Sequence, residues 1–301
     1  MQIFAGSSNR ELAGKIAKLL GVKLGKLEIS QFANGETRVW VQEPKIEKEV
    51  IVVQSLSSPT NDHLMEFCLI CDALHRGGAR EITAVVPWMG YSKQDKVFRL
   101  GEPLSCKVVA QILTLARLAR IITVDLHNRA TLGFFDTPIT ELSAKELLVE
   151  YFKQKLSKDS LIAAPDAGSV KVATAFAAEL GVPVVYLDKK RDLESGDVTV
   201  VGMSRSVTGA EVLLIDDNVF TGATLLETAK ELKKDGTKSI RVGLTHHLYV
   251  PGVQEKIEKS AIDEMVVSDT IECKNVQIQK RKSKKLKVLS VAQMIVDELQ
   301  R

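Results

Sequence analysis

The sequence predicts an α/β protein with two tandem doubly wound domains and mostly parallel sheets. Three observations lead there. Short β-branched runs alternate with segments of helical periodicity along almost the whole chain, as parallel strands joined by crossover helices require. The rhythm occurs twice, once in each half. In both halves an apolar strand runs into polar residues and then a helix, as in 82-ITAVVPWMGYSKQDK and 212-VLLIDDNVFTGATL.

Taken in order, the chain opens on a strand at Gln2–Phe4 and a capped helix at Glu11–Leu20. Val50–Gln54 and Glu81–Val86 are β-branched runs that flank a helix at Asn61–Arg76. A helix at Ser105–Ala116 leads to a strand at Ile121–Asp125, and a helix at Ala144–Lys155 opens the second half. There the strands Leu161–Ala164, Val184–Leu187, Val212–Ile215 and Ser239–Thr245 are interleaved with helices at Val170–Leu180, Leu225–Lys234 and Val253–Lys259. The segment 288–301 reads as a strand end and an amphipathic helix. The domains are expected at 1–145 and 146–301, the last helix being free to pack back on the first.

Composition narrows the function classes. With 45% hydrophobic and 26% charged residues among 301, the chain reads as a soluble globular protein. No apolar run approaches the ~18 residues that span a bilayer, and the start reads as strand and helix, not as a signal peptide. Four cysteines make no disulfide scaffold, which points to the cytoplasm. Cys68 and Cys71 form a C-x-x-C, yet they lie in the helical pattern 64-LMEFCLICDAL-74 without a second cysteine pair, so they read as structural. The net charge of +3 depends on the run 280-KRKSKKLK-287, six basic residues whose removal leaves 35 basic against 38 acidic. That run carries no interleaved aromatics and no nucleic-acid motif, so it reads as a solvated loop, and neither nucleic acid nor membrane is expected as a partner.

The segment 212-VLLIDDNVFTGATL carries the most chemistry. In open α/β sheets ligands sit beyond the carboxyl ends of strands. Asp216 and Asp217 stand at such an end, where two adjacent acids are costly to bury unpaired and suit the vicinal hydroxyls of a ribose. Thr221, Gly222, Ala223 and Thr224 offer backbone N–H groups and two hydroxyls at a helix N-terminus, a cradle for phosphate. The bland alternative is that a threonine caps the helix and the aspartates are solvated. Strand, acid pair and T-G-x-T together favour a sugar phosphate.

This segment resembles the phosphoribosyl-diphosphate (PRPP) signature shared by type I phosphoribosyltransferases and ribose-phosphate diphosphokinases. The resemblance to the diphosphokinases runs nearly end to end. The opening 3-IFAGSSNRELAGKIAKLLG-21 is similar to that family's first strand and helix. 32-FANGE-36 resembles its F-x-[DN]-G-E loop, which reaches an ATP site on a neighbouring subunit, and 87-PWMGYSKQDK-96 resembles its P-Y-x-x-Y-[AS]-R-Q-D-[RK] segment, which holds adenine and phosphates. 123-TVDLHNRATLGFFDTP-138 is similar to the D-L-H…F-F segment, whose histidine contacts metal and nucleotide. 164-APDAG-168 resembles S-P-D-x-G, and 188-DKKR-191 the D-K-x-R at the head of the catalytic loop.

The resemblance implies two type I phosphoribosyltransferase-like domains, ATP on the first and ribose 5-phosphate on the second, with Mg2+ as cofactor and a homo-oligomer built from dimers. It implies ATP contacts at Phe32, Asn34, Gly35, Glu36, Lys93, Gln94, Asp95 and His127. It implies ribose 5-phosphate contacts at Asp216, Asp217, Phe220, Thr221, Gly222, Ala223, Thr224 and Arg191. It implies catalysis by Lys189, Arg191 and His127, with His127 and Asp166 near the metal. Diphosphoryl transfer needs mainly positioning and charge neutralisation, which these residue types can supply. Lys96 and Arg99 are open between a polyphosphate contact and an exposed loop, and His246 and His247 have no ligand constellation and read as structural.

Three positions depart from the family pattern. Lys93 stands where arginine is usual and loses the planar fork. Asn34 replaces a common aspartate, and Phe220 occupies a position that is often acidic (D-D-M-I-D-T-G-G-T). The sequence therefore leaves a non-catalytic regulatory paralogue as an alternative to the active enzyme. A phosphoribosyltransferase is a further one, although it would need neither Lys189 and Arg191 nor the F-x-N-G-E and K-Q-D segments.

Overall fold

A computed structural model describes residues 1–165, 168–191, 198–273 and 283–301, with the backbone alone at 188–191 and 198–201. The chain divides into two compact units. The first comprises Met1–Ser143, Asp269–Glu272 and Ser290–Arg301, and the second Ala144–Ser268 and Cys273–Leu289.

The first unit is built on β1 (Gln2–Ala5), β4 (Glu49–Val53), β5 (Glu81–Val86), β6 (Arg120–Val124) and β7 (Ile139–Leu142). These form one five-stranded parallel sheet in the order β1-β4-β5-β6-β7. Its strands are apolar on both sides because both faces are covered. Phe4, Val50, Val52, Ile82, Ala84 and Val86 enter one core with α2 (Thr60–Arg76) and α3 (Ser105–Leu115). Ile3, Ile51, Val53, Val85 and Ile122 are equally buried and point the other way, towards α1 (Arg10–Leu19) and the final helix α8 (Ala292–Leu299), which pack together. Asn9 starts α1 by accepting a hydrogen bond from Leu12 N, and Leu12, Ala13, Ile16 and Ala17 form its buried stripe. The Asn9 amide also donates to the carbonyls of Asp269 (2.8 Å) and Thr270 (3.1 Å), and the Ser55 hydroxyl donates to Thr270 O, so segment 269–272 is held in this unit by polar bonds.

A separate antiparallel hairpin, β2 (Leu27–Gln31) and β3 (Thr37–Val41), covers part of the same core through Ile29, Val39 and Val41. The sequence pattern predicts no strand here or at β7. Both hairpin strands are partly exposed and depend on each other for pairing, with Arg38 set against Glu28 at 3.5 Å and over the Trp40 ring at 5.8 Å.

The second unit carries a seven-stranded sheet in the order β10-β9-β8-β11-β12-β13-β14. Its members are β8 (Ser160–Ala164), β9 (Val184–Arg191), β10 (Val198–Met203), β11 (Glu211–Val219), β12 (Ser239–His247), β13 (Glu264–Ser268) and β14 (Leu286–Leu289). Only β10 runs antiparallel, against β9. The winding starts at β8, moves out to β9, then returns to β11 on the other side, so the order reverses between β8 and β11. Helices α4 (Lys145–Lys153) and α5 (Val170–Leu180) pack with Ile162, Leu213 and Ile215. Helices α6 (Ala223–Lys234) and α7 (Val253–Lys259) pack with Val212, Leu214 and Val242 on the opposite face.

Candidate functional site

In the first unit the candidate residues lie on loops beyond the carboxyl edge of the sheet and on the hairpin tip. After β5 the chain turns through Tyr91, at φ 64°, into Lys93, Gln94 and Asp95. This loop is tied to its neighbours from two sides. Ser105 Oγ, at the start of α3, donates to Gln94 Oε1 at 2.7 Å, and Asn128 Nδ2, in the loop after β6, donates to Asp95 Oδ2 at 2.5 Å. The second bond joins the K-Q-D loop to the loop that carries exposed His127. Glu141 on β7 supports that loop from behind by accepting from Leu126 N at 2.8 Å, with its carboxyl pushed up chiefly by burial. Gln94 is thus a structural anchor at its amide oxygen, and Asn128, which no sequence motif singles out, is the connector.

Beneath these loops the turn after β1 grips a buried carboxylate. Glu66 accepts from Ser7 N and Ser7 Oγ, both at 2.7 Å, and from Gln54 Nε2 at 2.7 Å. No periodicity signals such a network, because it joins three separate segments.

Phe32, Asn34, Gly35 and Glu36 form the tip of the β2–β3 hairpin and are exposed. Gly35 sits at φ 88°, a left-handed turn position that favours glycine. Gly35 N donates to Phe32 O at 2.8 Å, and Glu36 N to Asn34 Oδ1 at 3.2 Å. Asn34 is spent on the turn itself, a role its side-chain oxygen shares with aspartate.

In the second unit the acid pair is placed differently from the sequence expectation. The strand does not stop at Ile215. β11 continues to Val219, paired with β12 through Asp216↔Leu244, Asn218↔His246 and Val219↔His247. Its other neighbour, β8, leaves off at Leu214↔Ala163. Asp216 and Asp217 therefore lie within the strand, on the stretch that outruns β8. This is the side on which the strand order reverses, the position where doubly wound sheets open a crevice. Both aspartates are half-buried, and Asp216 Oδ1 accepts from Asp217 N at 2.9 Å. Asn218 follows with 7% of its surface exposed, and neither atom of its amide has a partner among the described residues.

After Val219 come exposed Phe220 and Thr221, then Gly222 at φ 74°, ψ 0°, occupying the cap position of α6 without a side chain to cap it. The first-turn amides of α6 thus receive no capping oxygen from that residue, the arrangement that suits an anion. Thr221 Oγ1 accepts from Ala223 N only at 3.4 Å, and Thr224 O accepts from Thr228 Oγ1 at 2.6 Å. A β-carbon on Gly222 would sit 3.3 Å from Val253 Cγ1, so the turn is packed closely from below.

Lys189 and Arg191 lie on β9 in register with Val200 and Val198; their side chains, and Asp166 altogether, are outside the described residues. Among the described residues no group of three or more His, Cys, Asp or Glu is placed to hold a metal ion. Cys71 is buried and its thiol is pushed well up by desolvation, which agrees with a structural C-x-x-C.

Residues 1–116 match the N-terminal domain of ribose phosphate pyrophosphokinase, and residues 133–281 match the phosphoribosyl transferase domain. A Wolinella succinogenes ribose-phosphate pyrophosphokinase is 39% identical over 301 residues, covering 100% of this chain and 95% of that one. The chain belongs to the ribose-phosphate pyrophosphokinase family. A Campylobacter jejuni member is 35% identical over 300 residues, at the same coverage of each chain. The crystal structure of phosphoribosylpyrophosphate synthetase from Mycobacterium smegmatis superposes with a TM-score of 0.89 at 33% identity, over 99% of this chain and 97% of that one. Within this family's frame the departures fall on exposed side chains. Lys93 and Phe220 both face solvent, and Asn34 keeps the turn.

Proposed function

We propose that this protein transfers the β,γ-diphosphoryl group of ATP to the C1 hydroxyl of ribose 5-phosphate, giving 5-phosphoribosyl 1-diphosphate and AMP. The observation that carries this reading is kinship with ribose-phosphate pyrophosphokinases along the entire chain, the first unit included. A phosphoribosyl site alone would not separate a maker of the activated sugar from a consumer. In the transfer the C1 oxygen bonds to the β-phosphorus of ATP, the bond from that phosphorus to the oxygen bridging it to the α-phosphorus breaks, and AMP leaves on that oxygen while the hydroxyl proton is lost.

The residues act as follows on this reading. Asp216 and Asp217 accept hydrogen bonds from the ribose hydroxyls, and the α6 amides with Thr221 and Thr224 take the 5-phosphate, which the Gly222 cap supports. Phe220 contributes its backbone. Lys93, Gln94, Asp95 and His127 hold the nucleotide, and the Asp95–Asn128 bond orients that loop. Lys189 and Arg191 meet the β-phosphoryl oxygens as their charge redistributes. The exposed tip Phe32–Glu36 serves a neighbouring subunit's ATP in a homo-oligomer built from dimers. Magnesium is held by one or two carboxylates together with substrate phosphates, which Asp166 matches by residue type, and His127 is exposed beside the nucleotide loop. His127 and Asp166 would hold it, and when bound it offsets phosphate charge. The described helices include none long and apolar enough to cross a membrane, and the four cysteines are unpaired; the unpaired cysteines support a cytoplasmic setting.

The deciding assay supplies purified protein with ATP, magnesium and ribose 5-phosphate and follows AMP release. AMP formation that depends on the sugar supports the reading. ATP binding without AMP would instead support the non-catalytic relative that the Lys93 and Phe220 departures allow.

A further inference from the structure

The turn that follows β12 contains a polar chain that the proposed reaction does not use. His247 is 1% exposed and Gln254 3%, and the two are joined by His247 Nε2 and Gln254 Oε1 at 3.2 Å. The other ring nitrogen, Nδ1, accepts from Tyr249 N at 2.8 Å. A backbone N–H can only donate, so Nδ1 carries no proton and Nε2 donates to Gln254. Both contacts are satisfied by one neutral tautomer alone. Gln254 passes the order on, its Nε2 donating to Glu258 Oε1 at 3.0 Å and Ser283 Oγ at 3.2 Å.

This chain closes the loop formed by residues 248–252. That loop holds two left-handed residues, Tyr249 at φ 50° and Gly252 at φ 82°, with the Tyr249 ring stacked on His247 at 4.1 Å. The loop and the first residue of α7 meet the sugar-phosphate turn and the strand end before it at two points. Leu248 N donates to Val219 O at 3.1 Å, and Val253 lies against Gly222.

We propose that His247 is a positioning residue for the Phe220–Thr224 turn: its bond to Gln254 fixes Val253 beneath Gly222 and so sets the place of the α6 N-terminus. That this terminus takes the 5-phosphate rests on the reading above; the support of the turn does not. Truncating the link lets Val253 withdraw and the turn sample other conformations, which weakens an anion site made of backbone amides.

Two conservative variants separate the functions of the two ring nitrogens. His247→Asn keeps an acceptor near Nδ1 for Tyr249 N but falls short of Gln254. His247→Gln reaches Gln254 with its amide N–H and gives up the Nδ1 acceptor. Gln254→Leu cuts the same link from its other end. Two readouts are needed: hydrogen exchange of the 220–226 amides in the ligand-free protein, and the KM for ribose 5-phosphate at saturating ATP. His247→Asn and Gln254→Leu are expected to speed exchange and raise that KM about three- to tenfold, the effect of one lost hydrogen bond, with the KM for ATP unchanged. The double variant is expected to match either single one, and His247→Gln to recover most of both properties. Wild-type exchange in His247→Asn, or equal damage from Asn and Gln, would overturn the proposal. A wild-type protein that turns over no ribose 5-phosphate would refute the reaction, while the exchange data would still decide the positioning role.

Discussion

Replacing His247 by glutamine should flatten the acid limb of the second unit's stability. Burial, only partly offset by the bond to Gln254, lowers the His247 pKa from 6.5 to about 4 in the folded protein. The unfolded chain, titrating at its ordinary value, then binds a proton that the folded chain refuses. Stability falls wherever the unfolded state holds the extra proton. The His247 contribution is therefore undiminished above the unfolded pKa, declines from pH 6.5 towards 4, and changes no further below that. The slope across the window is ~1.4 kcal/mol per pH unit, so roughly 2 kcal/mol is lost by pH 5 and roughly 3 kcal/mol by pH 4. The glutamine variant has no such group. Its stability relative to wild type should therefore improve by those amounts on acidification, whatever other carboxylates and histidines contribute to both proteins. Urea unfolding is best read by pulsed hydrogen exchange of β11 and β12 peptides, because a two-unit chain need not unfold in one step. Parallel stability profiles for the two proteins between pH 7.5 and 4.5 would refute the claim that His247 is held neutral.

Three further outcomes follow from the geometry. Gly222→Ala places a β-carbon at φ 74° and 3.3 Å from Val253; it should cost ~1–2 kcal/mol in urea unfolding of the second unit and raise the KM for ribose 5-phosphate. Asn218→Leu removes a buried amide whose two polar atoms have no partner among the described residues, so thermal denaturation of the ligand-free protein should show a gain of ~1–3 kcal/mol. Asn128→Ala breaks the bond to Asp95 and should raise the KM for ATP about three- to tenfold while leaving ribose 5-phosphate binding, measured by calorimetry, at its wild-type value.

Legibility in the sequence followed locality. After their first residues the strands β4 and β8 are continuous apolar runs, and such runs identify themselves without their partners. The hairpin β2–β3 is short and half-exposed, and its residues pair across a turn, so its pattern is weak until both strands are set side by side. The extension of β11 was hidden for a sharper reason. Asp216, Asp217 and Asn218 are among the poorest strand formers, and only the long pairing with β12 makes them strand. The types of the candidate site residues could be read, because acids followed by a small hydroxyl turn and a helix are a local pattern. The Asp95–Asn128 bond, the Glu66 network and the His247–Gln254 link could not, since each joins side chains distant along the chain or dependent on a particular turn.

The same distinction accounts for Phe220. A phosphoribosyl turn can use a residue in two ways, through its side chain or through its backbone geometry, and the second use tolerates side chains that the first would forbid. Phe220 is 53% exposed and belongs to neither core cluster of its unit, so nothing packed depends on its ring. The chain is held on both sides of it: Val219 O accepts from Leu248 N, and Gly222, two residues on, lies against the Val253 side chain. With the chain clamped before and after it, the residue between can change from acidic to aromatic without moving the α6 amides. If the α6 N-terminus takes the 5-phosphate as proposed, the change removes one acceptor and one negative charge beside a dianion. Of those two losses, the second favours the bound anion.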